Sequence, residues 1–102
     1  MKINVSTQGE SLYIRLHGEL DEHSASRARQ EADKLAESNP LCKRAILNLE
    51  EVSFMDSTGI GFLIGRYKKF TRYGIPVYIT GVSAAVDKIL SMSGIYTLMP
   101  KL

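Results

Sequence analysis

The stretch Leu47-Asn48-Leu49-Glu50-Glu51-Val52-Ser53-Phe54-Met55-Asp56-Ser57-Thr58-Gly59-Ile60-Gly61 decides how the rest of this sequence is read. It grows out of a short apolar run, Ala45 to Leu49, of the kind a central strand requires. Residues 50–56 read as a connecting segment carrying apolar plugs. From Ser57 the period turns helical, with Ile60, Leu63, Ile64, Tyr67 and Phe70 as the expected inner stripe. Gly74, followed by Ile75-Pro76, ends that helix. A strand therefore hands over to a helix at Asp56-Ser57.

Upstream, residues 2–7 and 12–16 alternate apolar and polar side chains around the turn residues Gln8-Gly9-Glu10, which predicts a β-hairpin. Gly18 to His23 form a polar break. Ala25, Ala28, Ala32, Leu35 and Ala36 then recur at helical spacing, with Ser24 or Asp21 as the cap and Asn39-Pro40 as the stop. An alanine stripe predicts a helix that sits close to its support. Downstream, residues 76–80 read as a strand. Ser83 caps a third helix with Val86, Ile89 and Leu90 inside, and Gly94 terminates it. Residues 95–99 are a last short strand or irregular. The order β-β-α-β-α-β-α predicts an α/β fold: a small mixed sheet, opened by a hairpin and continued by parallel strands with helical crossovers. At 102 residues the expectation is one domain, 1–102.

Composition narrows the function. Hydrophobic residues make up 44% and charged residues 24%, which is globular rather than disordered. Thirteen basic and eleven acidic residues leave a net charge of +2, which calls for neither nucleic acid nor an anionic membrane. The single cysteine, Cys42, excludes an internal disulfide and a cysteine-cluster metal site. No apolar run has the length of a signal-peptide core or a membrane span, so the expected location is the cytoplasm.

Chemistry concentrates in Asp56-Ser57-Thr58-Gly59-Ile60-Gly61. Ser57 lies at or near a helix N-cap, where unpaired N–H groups and a partial positive charge favour a phosphate. Gly59 and Gly61 lack side chains, which lets a partner come close. Ordinary capping and ordinary packing account for the same residues. A hydrolase is disfavoured, because Ser57 is not in G-x-S-x-G and neither His17 nor His23 is placed beside it. Gly59-x-Gly61 lacks the third glycine of a dinucleotide loop and no G-K-[ST] occurs, so no nucleotide cofactor is expected. Asp21-Glu22-His23 are consecutive and seldom converge on one metal ion. Arg66, Lys68, Lys69 and Arg72 read as cations on the exposed face of the second helix, suited to its C-terminal dipole. Nucleic-acid binding through them is the lesser reading.

The signature stretch closely resembles that of anti-anti-sigma factors, the bacterial STAS domains. Gly18-Glu19-Leu20-Asp21 is similar to the G-E-L-D element of that family. Gly65-Arg66-Tyr67-Lys68 and Met92-Ser93-Gly94-Ile95 resemble the G-R-Y-K and M-S-G elements of its sporulation branch. The resemblance implies a switch and not an enzyme. The unphosphorylated protein binds an anti-sigma factor that is also a serine kinase, and the sigma factor, here sigma-F, is set free. The kinase phosphorylates the serine after the signature aspartate, which is Ser57, with Thr58 a minor alternative. A serine phosphatase reverses the step. The implied contact residues are Asp21, Asp56, Ser57, Thr58, Gly59, Ile60 and Gly61, with Asp21 either facing the partner or capping the first helix. Thr58 departs from the second serine usual in that branch, and family members usually continue beyond the equivalent of Leu102 into a further helix. Other partner-switching pathways, in general stress or secretion, and a nucleotide-binding STAS module remain the alternatives.

Overall fold

A computed structural model describes all residues, 1–102. Strands β1 (Lys2–Gln8) and β2 (Ser11–Leu20) form the expected hairpin, with Gly9 at φ +59° in its turn. Helix α1 (Ala25–Ser38), strand β3 (Arg44–Met55), helix α2 (Ser57–Thr71), strand β4 (Val77–Thr80) and helix α3 (Ala84–Ser93) follow. The sheet order is β1-β2-β3-β4, antiparallel at the hairpin and parallel thereafter.

The inward rows of the sheet are Leu12, Ile14 and Leu16 on β2, Ala45, Leu47 and Leu49 on β3, and Val77 and Ile79 on β4. They join the buried faces of all three helices in one apolar cluster. Alternation in a strand sends every second side chain to one face, so the helices cover a single side. On the other side Tyr13, Ile46 and Tyr78 stand in register across β2, β3 and β4. Helix α1 lays Ala25, Ala28, Ala32 and Ala36 on the core, as expected, with Leu35 half-buried.

Several expectations need correction. Residues 50–56 are no connecting segment, because β3 runs unbroken to Met55. The polar break begins three residues late, because β2 runs to Leu20. The two strands stay paired, Gly18 with Val52 and Leu20 with Met55, but through register shifts at Arg15/His17 and Gly18/Glu19. Such bulges break the period of two that a sequence reading relies on. On α2 the buried residues are Gly59, Phe62, Leu63, Arg66 and Phe70, while Ile60, Ile64 and Tyr67 are half-buried. All five expected residues pack on the core, but the most buried face also takes in Gly59, Phe62 and Arg66, so Arg66 is not on the exposed face. On α3 Val86 and Leu90 are buried but Ile89 reaches solvent. Residues 95–97 form a 3₁₀ turn. The chain then returns to β4 through a single parallel bridge, Ile79 to Lys101.

Candidate functional site

The junction of β3 and α2 is built by Asp56. Its backbone is extended, and its Oδ1 accepts from the Thr58 N–H at 2.9 Å and the Gly59 N–H at 3.2 Å. Asp56 is therefore the N-cap, and Ser57 is the first residue inside the helix. Ser57 is thus near the cap, as expected, but the helix N-terminus beside it is not fully open to a phosphate. The aspartate already takes two of the free N–H groups. The Ser57 residue is exposed, and Thr58 is half-buried beneath it.

The two glycines have opposite roles. Gly59 is buried, and a Cβ on it would stand 2.6 Å from Met55 Cγ and 2.7 Å from the Leu20 carbonyl oxygen. Its bareness admits the chain's own β2 and β3 ends to the start of the helix. Gly61 is exposed with nothing within 4 Å of a Cβ, which leaves bare helix backbone one turn beyond Ser57. Ile60 is half-buried between them.

Asp21 lies in the turn that joins β2 to α1. Its Oδ1 accepts from the N–H groups of His23 at 3.0 Å and Ser24 at 3.1 Å. The Ser24 hydroxyl donates to the Glu19 carbonyl at 2.7 Å. Neither residue caps α1 from its side chain: Ser24 holds the cap position without a capping bond, and Asp21 closes the turn before it. Partial desolvation works to raise the Asp21 pKa. The hydrogen bonds from Ser24 and His23, with the His23 charge, outweigh it and leave the carboxyl below its ordinary value.

Leu20 brings the Asp21 turn to the signature. Its carbonyl accepts from the Asp56 N–H at 3.4 Å and packs against Gly59, while the residue itself pairs with Met55. Asp21, Asp56, Ser57, Thr58 and Ile60 thus sit at one end of the molecule. An open groove of about 660 Å³ on the Asp21 side is lined in part by Glu19, Asp21, Ser24, Arg27 and Ser53. His17 is elsewhere, facing Asn4 at 3.3 Å on the hairpin, and the His23 ring lies 3.9 Å from Glu22. No group of three or more His, Cys, Asp or Glu side chains is arranged to hold a metal ion.

Sequence reasoning missed Arg66. Its side chain is only 4% exposed, and its Nη1 donates to Asp33 Oδ1 at 2.8 Å and to the Arg29 carbonyl at 3.2 Å. The guanidinium lies 4.8 Å from the Phe62 ring centroid, and its Nε has no partner. Burial depresses its pKa, and the Asp33 carboxylate opposes that shift. The signal was present in the sequence: Phe62, Arg66 and Phe70 are spaced on one helical face.

Residues 2–102 match the family model described as the STAS domain. The chain is 36% identical over 89 residues to an anti-sigma F factor antagonist of Paenibacillus polymyxa, covering 87% of this chain and 75% of that one. It is 28% identical over 99 residues to an anti-sigma-B factor antagonist of Staphylococcus aureus, covering 97% and 90%. Among solved structures it is similar to the anti-sigma factor antagonist SpoIIAA. Against the unphosphorylated form the TM-score is 0.79 at 26% identity, covering 99% of this chain and 88% of that one. Against the phosphorylated form of the Bacillus cell fate determinant SpoIIAA it is 0.69 at 27%, covering 99% and 91%. The chain belongs to the STAS-domain family, and within it to the anti-sigma factor antagonists. An antagonist of this kind is a regulator and not an enzyme. No helix is long and apolar enough to cross a membrane.

Proposed function

We propose that this chain binds an anti-sigma factor with the surface formed by Asp21, Asp56, Ser57, Thr58, Ile60 and Gly61, and so releases a sigma factor. Phosphorylation of Ser57 by the anti-sigma factor, acting as a serine kinase with ATP, ends the interaction, and a serine phosphatase restores it. The observation that carries the reading is the exposure of Ser57 on the first turn of α2, beside the Asp56 cap and the Asp21 turn. Thr58 is the poorer acceptor because it is half-buried. A phosphoserine adds roughly −1.5 to −2 charges at pH 7. Placed next to Asp56 inside a docking footprint, like charge costs several kcal/mol, and each ~1.4 kcal/mol is a tenfold loss of affinity.

The sigma-F pathway is favoured by 36% identity to the Paenibacillus antagonist against 28% to the sigma-B antagonist. Incubation with Mg-ATP and either the anti-sigma F factor of Paenibacillus polymyxa or the anti-sigma-B factor of Staphylococcus aureus tests it. Intact mass should show one phosphate with the anti-sigma F factor, mapped to Ser57 and absent in Ser57→Ala. Ser57→Asp should bind at least about tenfold more weakly than wild type, and Ser57→Ala should bind as wild type does. Equal binding by all three proteins refutes the switch. Preference for the anti-sigma-B factor moves the chain to the stress pathway.

A further inference from the structure

Helices α1 and α2 follow successive parallel strands and run side by side in the same direction, Asp33 opposite Arg66 and Glu37 opposite Lys69. What α1 presents to the core is alanine at four positions. Alanine lets helices approach closely but offers no knob to fit a hole, and with the half-buried Leu35 as the one larger apolar side chain of α1 on the core, uniqueness of packing is weakly specified. Into this contact α2 sends one guanidinium. Arg66 reaches a carboxylate and a main-chain carbonyl four residues apart on α1, Asp33 and Arg29, and lies against its own helix's Phe62. Hydrogen bonds of this kind are directional where apolar contact is not.

Stability is a poor reason for such a residue. Burying a charge is costly, and replacing a buried ion pair by apolar side chains is often neutral or stabilising. The unpartnered Nε adds the cost of an unmade hydrogen bond. Nor does Arg66 lie on the contact surface. It is nine residues from Ser57, two and a half helical turns, so it points away from it and sits ~13 Å further along the axis.

We infer that Arg66 is a positioning residue for partner recognition: its hydrogen bonds to Asp33 and the Arg29 carbonyl fix the register of α1 against α2, and with it the Asp21 turn against Ser57. The inference rests on the proposed function. Helix α1 hangs from that turn, since the Ala25 N–H donates to the Asp21 carbonyl at 2.9 Å and the Ala28 N–H to the Ser24 carbonyl at 3.1 Å. A shift or rotation of α1 therefore passes into the turn whose two N–H groups hold the Asp21 carboxylate. The opposite end of the α1–α2 contact is tied by Lys69 to Glu37 at 3.1 Å, an exposed pair of small worth.

The test compares wild type, Arg66→Met, Asp33→Asn and the double variant in three measurements: thermal melting, affinity for the anti-sigma F factor of Paenibacillus polymyxa, and amide exchange of the free protein. Arg66→Met should melt no lower than wild type, bind about tenfold more weakly, and exchange the α1 amides faster than wild type while β3 is unchanged. Asp33→Asn, which strands a buried cation, should melt lower. The double variant should recover the melting temperature and not the affinity. A purely structural Arg66 would make affinity follow melting temperature, and that pattern, or wild-type binding by Arg66→Met, overturns the inference. If wild type itself fails to bind, the proposed function fails, and the exchange measurement alone decides the register: unchanged α1 exchange in Arg66→Met overturns it.

Discussion

Gly59→Ala and Gly61→Ala make the same chemical change two residues apart on one helix. Both glycines have ordinary helical backbone, since neither is among the positive-φ positions. Each variant gains the propensity of alanine over glycine, about 1 kcal/mol in a helix interior. That gain enters both and largely cancels in the comparison. What differs is the space. At Gly61 the new methyl meets nothing within 4 Å. At Gly59 it is driven to 2.6 Å from Met55 Cγ, 2.7 Å from the Leu20 carbonyl oxygen and 3.2 Å from Leu20 Cγ. The Met55 side chain can turn aside, though Met55 is only 3% exposed and its neighbours are packed. The carbonyl cannot turn without disturbing β2 and losing the Asp56 N–H. Overpacking of a well-filled core costs about 1–3 kcal/mol, and a main-chain obstacle argues for the upper half of that range. Gly61→Ala should be as stable as wild type or more so. In urea, with an m-value of about 1–3 kcal/mol/M for a chain of this size, the midpoint of Gly59→Ala should fall roughly 1 M or more below that of Gly61→Ala. Circular dichroism at the helix band reads both. Coincident midpoints for the two variants would refute the assignment of Gly59 to close packing of the α2 start on the ends of β2 and β3.

Two further predictions concern carboxylates. Asp56→Ala removes the acceptor for the Thr58 and Gly59 N–H groups and should cost about 1 kcal/mol in the same urea titration; Asp56→Asn, which keeps a capping oxygen, should lose less. Asp87 accepts from the Tyr96 hydroxyl at 2.6 Å and from Lys101 Nζ at 2.9 Å, and these partners hold its carboxyl below the ordinary value despite some desolvation. A carboxyl lowered in the folded state adds stability above the unfolded value, 3.8, and loses it as pH falls below that point. Asp87→Asn should therefore be less stable than wild type at about pH 6, with a gap that narrows at about pH 3; a gap that stays constant contradicts the linkage.

The sequence and the structure agree where one physical signal dominates. The alanine stripe of α1, the Ser83 cap and Gly94 stop of α3, and the hairpin all rest on local rules that packing then respects. They part where two signals compete. The bulges at Arg15/His17 and Gly18/Glu19 shift the register of β2 against β3, so Val52 and Met55 fall out of simple alternation although both are buried. Arg66 reads as exposed because charge usually marks a solvated face, whereas Phe62 and Phe70 set the helical phase that buries it. Gly59 and Gly61 look alike in sequence. Only the distance to Leu20 and Met55 separates a packing glycine from a surface one.

The Asp56 cap changes the physical account of the proposed switch. With an open helix N-terminus, a phosphate on Ser57 would be drawn onto the first-turn N–H groups and partly neutralised there. Here those of Thr58 and Gly59 are taken by Asp56. For the phosphate to claim them it would have to displace the cap, at a cost of about 1 kcal/mol to the helix. It is left instead at the surface, where Ser57 is exposed, beside a fixed carboxylate of like charge. Its negative charge then faces the docking partner with less compensation from its own helix than an open N-terminus would give. Such a switch works by adding charge to a rigid surface and needs no second fold. The chain is similar to SpoIIAA in both its unphosphorylated and its phosphorylated form, at TM-scores of 0.79 and 0.69.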